Sequence, residues 1–148
     1  MDKTIDRYNK LSDVLGKENI KSRVDSTFDF ITIAIRGLNS DAIIHFIDYF
    51  NLSKNYTANL LNLSEPTLYR LLRSKDDLKV NNSVQLLEAA DLFLYGIEVF
   101  GSKDKFFQWL KLPNISMGGI EPDELIEIPG GISKVRDVLG RIQHGVYS

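Results

Sequence analysis

The sequence predicts an all-α protein, with a helix-turn-helix module continuous with a small helical domain. Three observations carry this. Apolar residues recur at three- and four-residue spacing, the period of a helix with one buried face. A Ser, Thr or Asn precedes most of these segments, where a short side-chain oxygen satisfies a first-turn amide that has no intrahelical partner. The residues that punctuate helices are unevenly spread, since seven of the ten Gly and three of the four Pro lie from Gly101 onward. The first hundred residues therefore read as longer elements and the last third as short elements joined by tight turns.

In chain order, residues 1–39 form an N-terminal helical extension, residues 40–78 the helix-turn-helix region and residues 79–148 the second domain. Met1–Asp25 is an additional dimer or packing element, and the sequence leaves that choice open. Thr27 caps a segment through Phe28, Ile31 and Ile35 to Gly37, a helix by its length and terminal Gly, with a strand as the alternative for so Ile-rich a run. Ser40 caps a segment carrying Ile43, Ile44, Phe46, Ile47 and Phe50. Ser53 caps Lys54–Leu61 and Ser64 caps Glu65–Arg73. Asn82 or Ser83 starts a long segment to Phe100, and Ser102 starts Lys103–Leu110. Glu121–Pro122 opens a short turn of helix, and Gly131–Ser133 leads into a last helix through Ile142. There is no internal repeat and no low-complexity tract.

Lys54–Arg73 has the spacing of a helix-turn-helix. Ala58 stands where two helices cross closely. Asn62 follows in the turn, where a left-handed backbone is often required and Asn tolerates it. Leu60, Leu61, Leu63, Leu68 and Leu71 supply a core that fixes the angle, and Pro66 falls in the first turn of the second helix, where its missing amide hydrogen costs little. A recognition helix presents its N-terminal residues to base edges. The candidate DNA-binding residues are Lys54, Ser64, Glu65, Thr67, Tyr69, Arg70, Arg73 and Lys75, with Arg70 and Arg73 as phosphate contacts. Residues 53–75 carry a local charge of +3. An ordinary helical hairpin with a solvated charged face is the alternative.

From Ser83 to Phe100 the polar positions Gln85, Glu88, Asp91, Tyr95 and Glu98 form one narrow stripe. A surface helix shows an apolar sector little wider than 100°, so this one must be covered on two sides. It is either a central core helix or a homodimer interface through Leu86, Ala89, Phe93 and Ile97. A dimer would place two recognition helices on two half-sites.

Composition limits the function. The chain has 148 residues, 43% of them hydrophobic, with 18 Lys+Arg against 20 Asp+Glu and no Cys. A chain this size buries roughly two-thirds of its unfolded surface, as one domain or two small ones. The apolar fraction excludes a disordered chain. The absence of Cys excludes disulfide scaffolds, cysteine zinc sites and thiol nucleophiles, and fits a reducing compartment. No run approaches the roughly 18 apolar residues of a membrane span, and Met1–Lys10 is not signal-like, so a cytoplasmic location is expected. The near-neutral total hides a division: residues 1–76 hold 11 basic against 10 acidic residues and residues 77–148 hold 7 against 10. A small basic patch and an acidic second half suit DNA and a protein partner respectively.

The C-terminal third carries the most specific pattern: Val99-Phe100-Gly101, Trp109-Leu110, Pro113-Asn114 and Gly118-Gly119-Ile120-Glu121-Pro122. Leu125-Ile126, Gly130-Gly131, Val135, Val138-Leu139, Arg141-Ile142 and Gly145-Val146-Tyr147-Ser148 follow. This succession resembles the toxin-binding domain of the Xre/MbcA/ParS antitoxins, partners of RES-domain toxins, over about residues 40–148. The resemblance implies a type II toxin–antitoxin system. Its antitoxin is a homodimer that represses its own operator and caps an NAD⁺-consuming toxin encoded next to it, and itself needs no catalytic residue and no cofactor. It places the toxin-binding surface at Gly118, Gly119, Glu121, Pro122, Arg141, His144, Gly145, Val146, Tyr147 and Ser148. A terminal carboxylate and an aromatic ring there would suit a pocket built for an anionic, base-bearing dinucleotide, in which an Arg would pair with the carboxylate. A tail that packs only on the antitoxin is the rival. A stand-alone helix-turn-helix regulator without a toxin, sensing a small molecule, is the alternative for the whole chain. An adaptor that has lost DNA binding is another.

Several residues invite other readings. Glu121, Asp123, Glu124 and Glu127 match no calcium loop, and acids are favoured at a helix start. His45, on an apolar helix, reads as a satisfied structural His. His144 and Asp137 lack an accompanying nucleophile motif, so no enzyme is expected. Gly118-Gly119 and Gly130-Gly131 read as turns and caps rather than phosphate cradles. Trp109, Phe106, Phe107 and Leu110 read as core rather than as a base-stacking platform.

Overall fold

Ser53, Ser64 and Ser102 sit in extended backbone, and their hydroxyls accept the amides of Tyr56, Thr67 and Lys105 at 3.0, 3.2 and 3.1 Å. Each opens a helix as its position in the sequence requires. The computed structural model describes residues 3–145, and every regular element among them is helical. The helices are α1 (Lys3–Asn9), α2 (Leu11–Leu15), α3 (Phe28–Arg36), α4 (Asp41–Phe50), α5 (Lys54–Leu60), α6 (Glu65–Ser74), α7 (Val80–Phe100), α8 (Lys103–Leu110), α9 (Pro122–Leu125) and α10 (Gly131–Gln143). A 3-10 turn spans Ile115–Met117. The chain divides into two units, residues 1–91 and 92–148, with the division inside α7.

Three helix starts differ from the sequence expectation. The Thr27 side chain makes no cap bond to α3; instead the Asp29 carboxylate reaches back to accept the Asp25 and Ser26 amides at 2.8 and 3.2 Å. At α4 the cap is supplied by Asn39, whose Oδ1 accepts the Asp41 amide at 2.9 Å. Ser40 is fully buried and donates to the Leu71 carbonyl at 2.8 Å, pinning α4 to the end of α6. Helix α7 begins at Val80, ahead of Asn82 and Ser83. Both of those face inward, and the Asn82 amide donates to the Leu61 carbonyl at 2.9 Å. A buried backbone carbonyl needs a donor, and this one takes Asn82 from the role of cap.

In residues 1–91, α2 packs on α4, α5 on α6 and α4 on α6. Leu11, Leu15, Phe30, Ile43, Phe46, Leu60, Leu61 and Leu68 are fully buried there. The segments after α3 and after α6 are joined by the Asn39–Asp77 bridge, and the Leu78 amide donates to the Leu38 carbonyl at 2.8 Å. The start of the N-terminal extension packs within this unit. Tyr8 meets Phe30 edge-on at 6.0 Å, and Arg7 Nε donates to Asp91 Oδ1 at 2.7 Å in a buried ion pair.

Residues 92–148 are built around Phe106, which is fully buried against Phe93, Phe107, Phe100 and Trp109, with ring centres 5.3–6.3 Å away. Phe106 and Leu110 are therefore core, whereas Phe107 and Trp109 are half-buried. α9 packs on both α8 and α10. Ile126, Ile132, Val135 and Leu139 complete the buried set.

The α7 face read as a homodimer interface is largely enclosed in the single chain. Leu86, Ala89 and Phe93 are all 0% exposed within a single chain, and Ile97 is half-buried. Side chains so enclosed offer little surface to a second copy. The wide apolar sector of α7 is explained by burial along the helix.

Candidate functional site

Two surfaces carry the sequence-predicted residues. The first is the helix-turn-helix, formed by α5, a turn and α6. Asn62 adopts the left-handed conformation expected for it, with φ 58°. Ala58, Leu60, Leu61 and Leu68 are at most 1% exposed and Leu71 is 7% exposed, while Leu63 is only half-buried. That core leaves Glu65, Tyr69, Arg70 and Arg73 exposed and Thr67 half-exposed. Ser64 is engaged locally: its hydroxyl accepts the Thr67 amide and donates to Thr67 Oγ1 at 2.8 Å. The Glu65 carboxylate accepts a hydrogen bond from the Asn55 side chain at 2.8 Å, tying α6 to α5. Lys54 lies over the Tyr69 ring, its Nζ 5.4 Å from the centre. Neither Arg70 nor Arg73 makes an ion pair among the described residues. Lys75, in left-handed backbone at the end of α6, reaches to 3.7 Å from Asp41 Oδ1. The surface thus presents free guanidinium groups on α6, flanked by Lys54 and Lys75.

The second surface lies in residues 92–148. Asn114 and Ile120 pair across a tight turn in which Gly118 and Gly119 both take positive φ, 72° and 80°. A side chain at either glycine would meet open space, so their surfaces are unobstructed. Glu121 is half-buried, and Pro122 is buried as the first residue of α9. That burial leaves Pro122 little surface for a partner. Asp123 and Glu124 occupy the first turn of α9, where exposed amides favour acids. On α10, Arg136, Asp137, Gly140, Arg141 and His144 line an open cleft of about 420 Å³. Arg141, His144 and Gly145 are exposed. Val146, Tyr147 and Ser148 lie outside the described residues.

A third group was not anticipated. His45 Nε2 lies 2.7 Å from Glu18 Oε1 and 3.1 Å from Asp41 Oδ2. The three ligand-type atoms are within 4.8 Å of one another, the one such group of potential metal ligands among the described residues. The Asn19 amide donates to both the Leu15 carbonyl and Asp41, at 2.9 and 3.3 Å. Gly16, at φ 94°, approaches the imidazole so closely that a Cβ would sit 2.7 Å from it. The pair Asp41 and His45, four apart on α4, was visible in the sequence, whereas Glu18 comes from a distant loop. Burial raises the Asp41 carboxyl pKa, but hydrogen bonds with Asn19 and Glu18 and the charges of His45 and Lys75 outweigh it, and hold it below the ordinary 3.8. A depressed carboxyl stabilises the fold fully above its unfolded pKa and loses that contribution as pH falls through the folded value. Asp41→Asn should therefore be less stable than the natural chain at neutral pH. Urea unfolding should show the gap closing below about pH 4; a gap independent of pH would refute the charge origin.

Residues 96–145 match the family described as the antitoxin Xre/MbcA/ParS C-terminal toxin-binding domain. The chain is also similar to two curated proteins named Antitoxin Xre. One, from Photorhabdus laumondii subsp. laumondii, is 34% identical over 55 residues, 36% of this chain and 37% of that protein. The other, from Yersinia enterocolitica serotype O:8 / biotype 1B, is 34% identical over 70 residues, 47% of this chain and 44% of that protein. The similarity spans less than half the length of these relatives. The resemblance to Xre-type antitoxins read from the C-terminal motifs is thereby shown. No helix among the described residues is long and apolar enough to cross a membrane.

Proposed function

We propose that this protein is the antitoxin of a type II toxin–antitoxin pair, neutralising a RES-domain, NAD⁺-consuming toxin by capping its active site. The observation that carries the reading is the match of residues 96–145 to a toxin-binding domain, on the segment that offers an open glycine turn and the exposed α10 cleft. Gly118, Gly119, Glu121, Arg141, His144 and Gly145 form the contact surface, and the Val146–Ser148 tail enters the toxin's pocket. An inhibitor of this kind needs shape and charge, not reactive groups. In the same reading the chain is a homodimeric, cytoplasmic autorepressor. Arg70, Arg73, Lys54 and Lys75 meet operator phosphates, and Thr67 with Tyr69 reaches bases or backbone. The free guanidinium groups of α6 support this half.

Co-expression with the adjacent gene product tests the first half: a stable complex and restored growth are expected. Deleting Val146–Ser148 should abolish neutralisation while the chain stays folded; full protection by the truncated chain would refute the plug and leave a steric lid. A mobility-shift titration tests the second half. Each neutralised phosphate contributes about −0.9 to the log–log salt slope, so Arg70→Ala should flatten it by about that amount per subunit. An unchanged slope, or no shift at low salt, would remove DNA binding from the reading.

A further inference from the structure

Helix α3 carries an apolar stripe that its own chain leaves uncovered. Phe28 is 71% exposed, Ile31 45% and Ile35 69%. Spaced three and four apart, they lie on one helix face, opposite Phe30, Ile33 and Ala34, which are buried. Single exposed apolar residues are ordinary on a protein surface. Three large ones aligned on a nine-residue helix form a contiguous patch, and such patches mark interaction sites.

We propose that α3 is the homodimer interface, pairing antiparallel with α3 of a second copy about a two-fold axis beside Ile31. This rests on the dimeric reading above and gives it a location, since the α7 face is enclosed. Self-complementarity selects a second copy as the occupant. Phe28 and Ile35 lie either side of the Ile31–Thr32 midpoint, so a two-fold axis there sets Phe28 of one copy against Ile35 of the other, as an isologous contact requires. Charge agrees. Asp25, paired with the exposed Arg23 at 2.7 Å, and Asp29, whose carboxylate accepts the Asp25 and Ser26 amides, stand at the start of α3, and Arg36, exposed and without an ion pair among the described residues, stands at its end. Antiparallel pairing brings Arg36 of each copy to the acidic start of the other helix. Phe28, Ile31 and Ile35 would form the apolar centre, and residues 25–27 and Arg36 part of the polar rim that interfaces have.

Sedimentation equilibrium of the full chain should show a dimer. Ile35→Glu, at an exposed position, should keep the natural circular dichroism and weaken dimerisation by about 100-fold or more, because each substitution removes two symmetry-related contacts. A chain that is monomeric at high micromolar concentration would overturn the dimeric reading and the interface together. A dimer untouched by Ile35→Glu would leave the dimer standing and overturn the α3 interface. The chain has no cysteine, so single cysteines report geometry directly. Ile31→Cys should cross-link to itself across the axis, whereas Ile35→Cys should not, its two copies lying about 10 Å apart along the helices. The reverse pattern would overturn the antiparallel arrangement.

Discussion

Arg7→Ala is expected to destabilise residues 1–91 by about 3–5 kcal/mol. The Arg7 and Asp91 side chains are 7% and 0% exposed, and Nε and Oδ1 are 2.7 Å apart. The guanidinium carbon also lies 5.7 Å from the Tyr8 ring centre. Truncation removes the guanidinium that faces the enclosed Asp91 carboxylate, and losing a charge-assisted contact to a buried charge costs more than losing a neutral one. Arg7→Lys should recover only part of the loss, since an ammonium lacks the planar fork. The double variant Arg7→Met with Asp91→Leu removes both charges and should be closer to the natural chain than Arg7→Ala alone. Urea unfolding of the four chains decides it. A loss below about 1 kcal/mol for Arg7→Ala, the size of a surface pair, would mean that Arg7 is not what holds the Asp91 charge. The consequence extends beyond stability, because this pair ties the N-terminal extension to α7.

Local chemistry made much of this fold legible. Ser53, Ser64 and Ser102 cap their helices because a cap is decided within four residues, and Asn62 takes φ 58° because the turn itself demands it. Where a second element competes, local reasoning gave way. Ser40 donates to Leu71 rather than capping α4, and Asn82 serves the Leu61 carbonyl. Helical periodicity put Asp91 on a polar stripe, yet period assigns a face and not a partner. Arg7, 84 residues away, turns that position inward. The Glu18–Asp41–His45 group has the same origin, as Glu18 belongs to a loop without a periodic signature. On the candidate sites, Arg70, Arg73, Arg141 and His144 are exposed, whereas the place of Pro122 in the first turn of α9 buries it. The exposure of Phe28, Ile31 and Ile35 on α3 was not legible, because hydrophobic spacing alone cannot distinguish a face buried in the chain from one awaiting a partner.

The glycines of the matched domain should separate into three outcomes under the same substitution. Gly131 begins α10, and a Cβ built there would overlap the Leu125 carbonyl oxygen. Backbone cannot swing aside as a flexible side chain can, and Ile126 next to it is 1% exposed, so Gly131→Ala should cost at least the upper end of the ~1–3 kcal/mol typical of overpacking. Gly96→Ala meets the Phe106 ring, which is itself held by Phe93, Phe107 and Trp109; a comparable cost is expected as the cluster shifts. Gly130→Ala has open space around it but needs φ 79°, so about 1 kcal/mol of left-handed strain is its whole penalty. Gly140 is helical, and its Cβ would make ordinary contact with Tyr95 Oη at 3.6 Å. Replacing a mid-helix glycine by alanine there should stabilise by roughly 0.5–1 kcal/mol. Thermal unfolding would order the four as Gly140→Ala above the natural chain, then Gly130→Ala, then Gly96→Ala and Gly131→Ala. If Gly131→Ala melts with Gly130→Ala, the α9–α10 junction is looser than this packing requires. Because Gly140 lines the α10 cleft, its variant also separates stability from recognition. If partner binding weakens in a chain that melts higher, the defect lies on the surface, and the cleft is part of the contact.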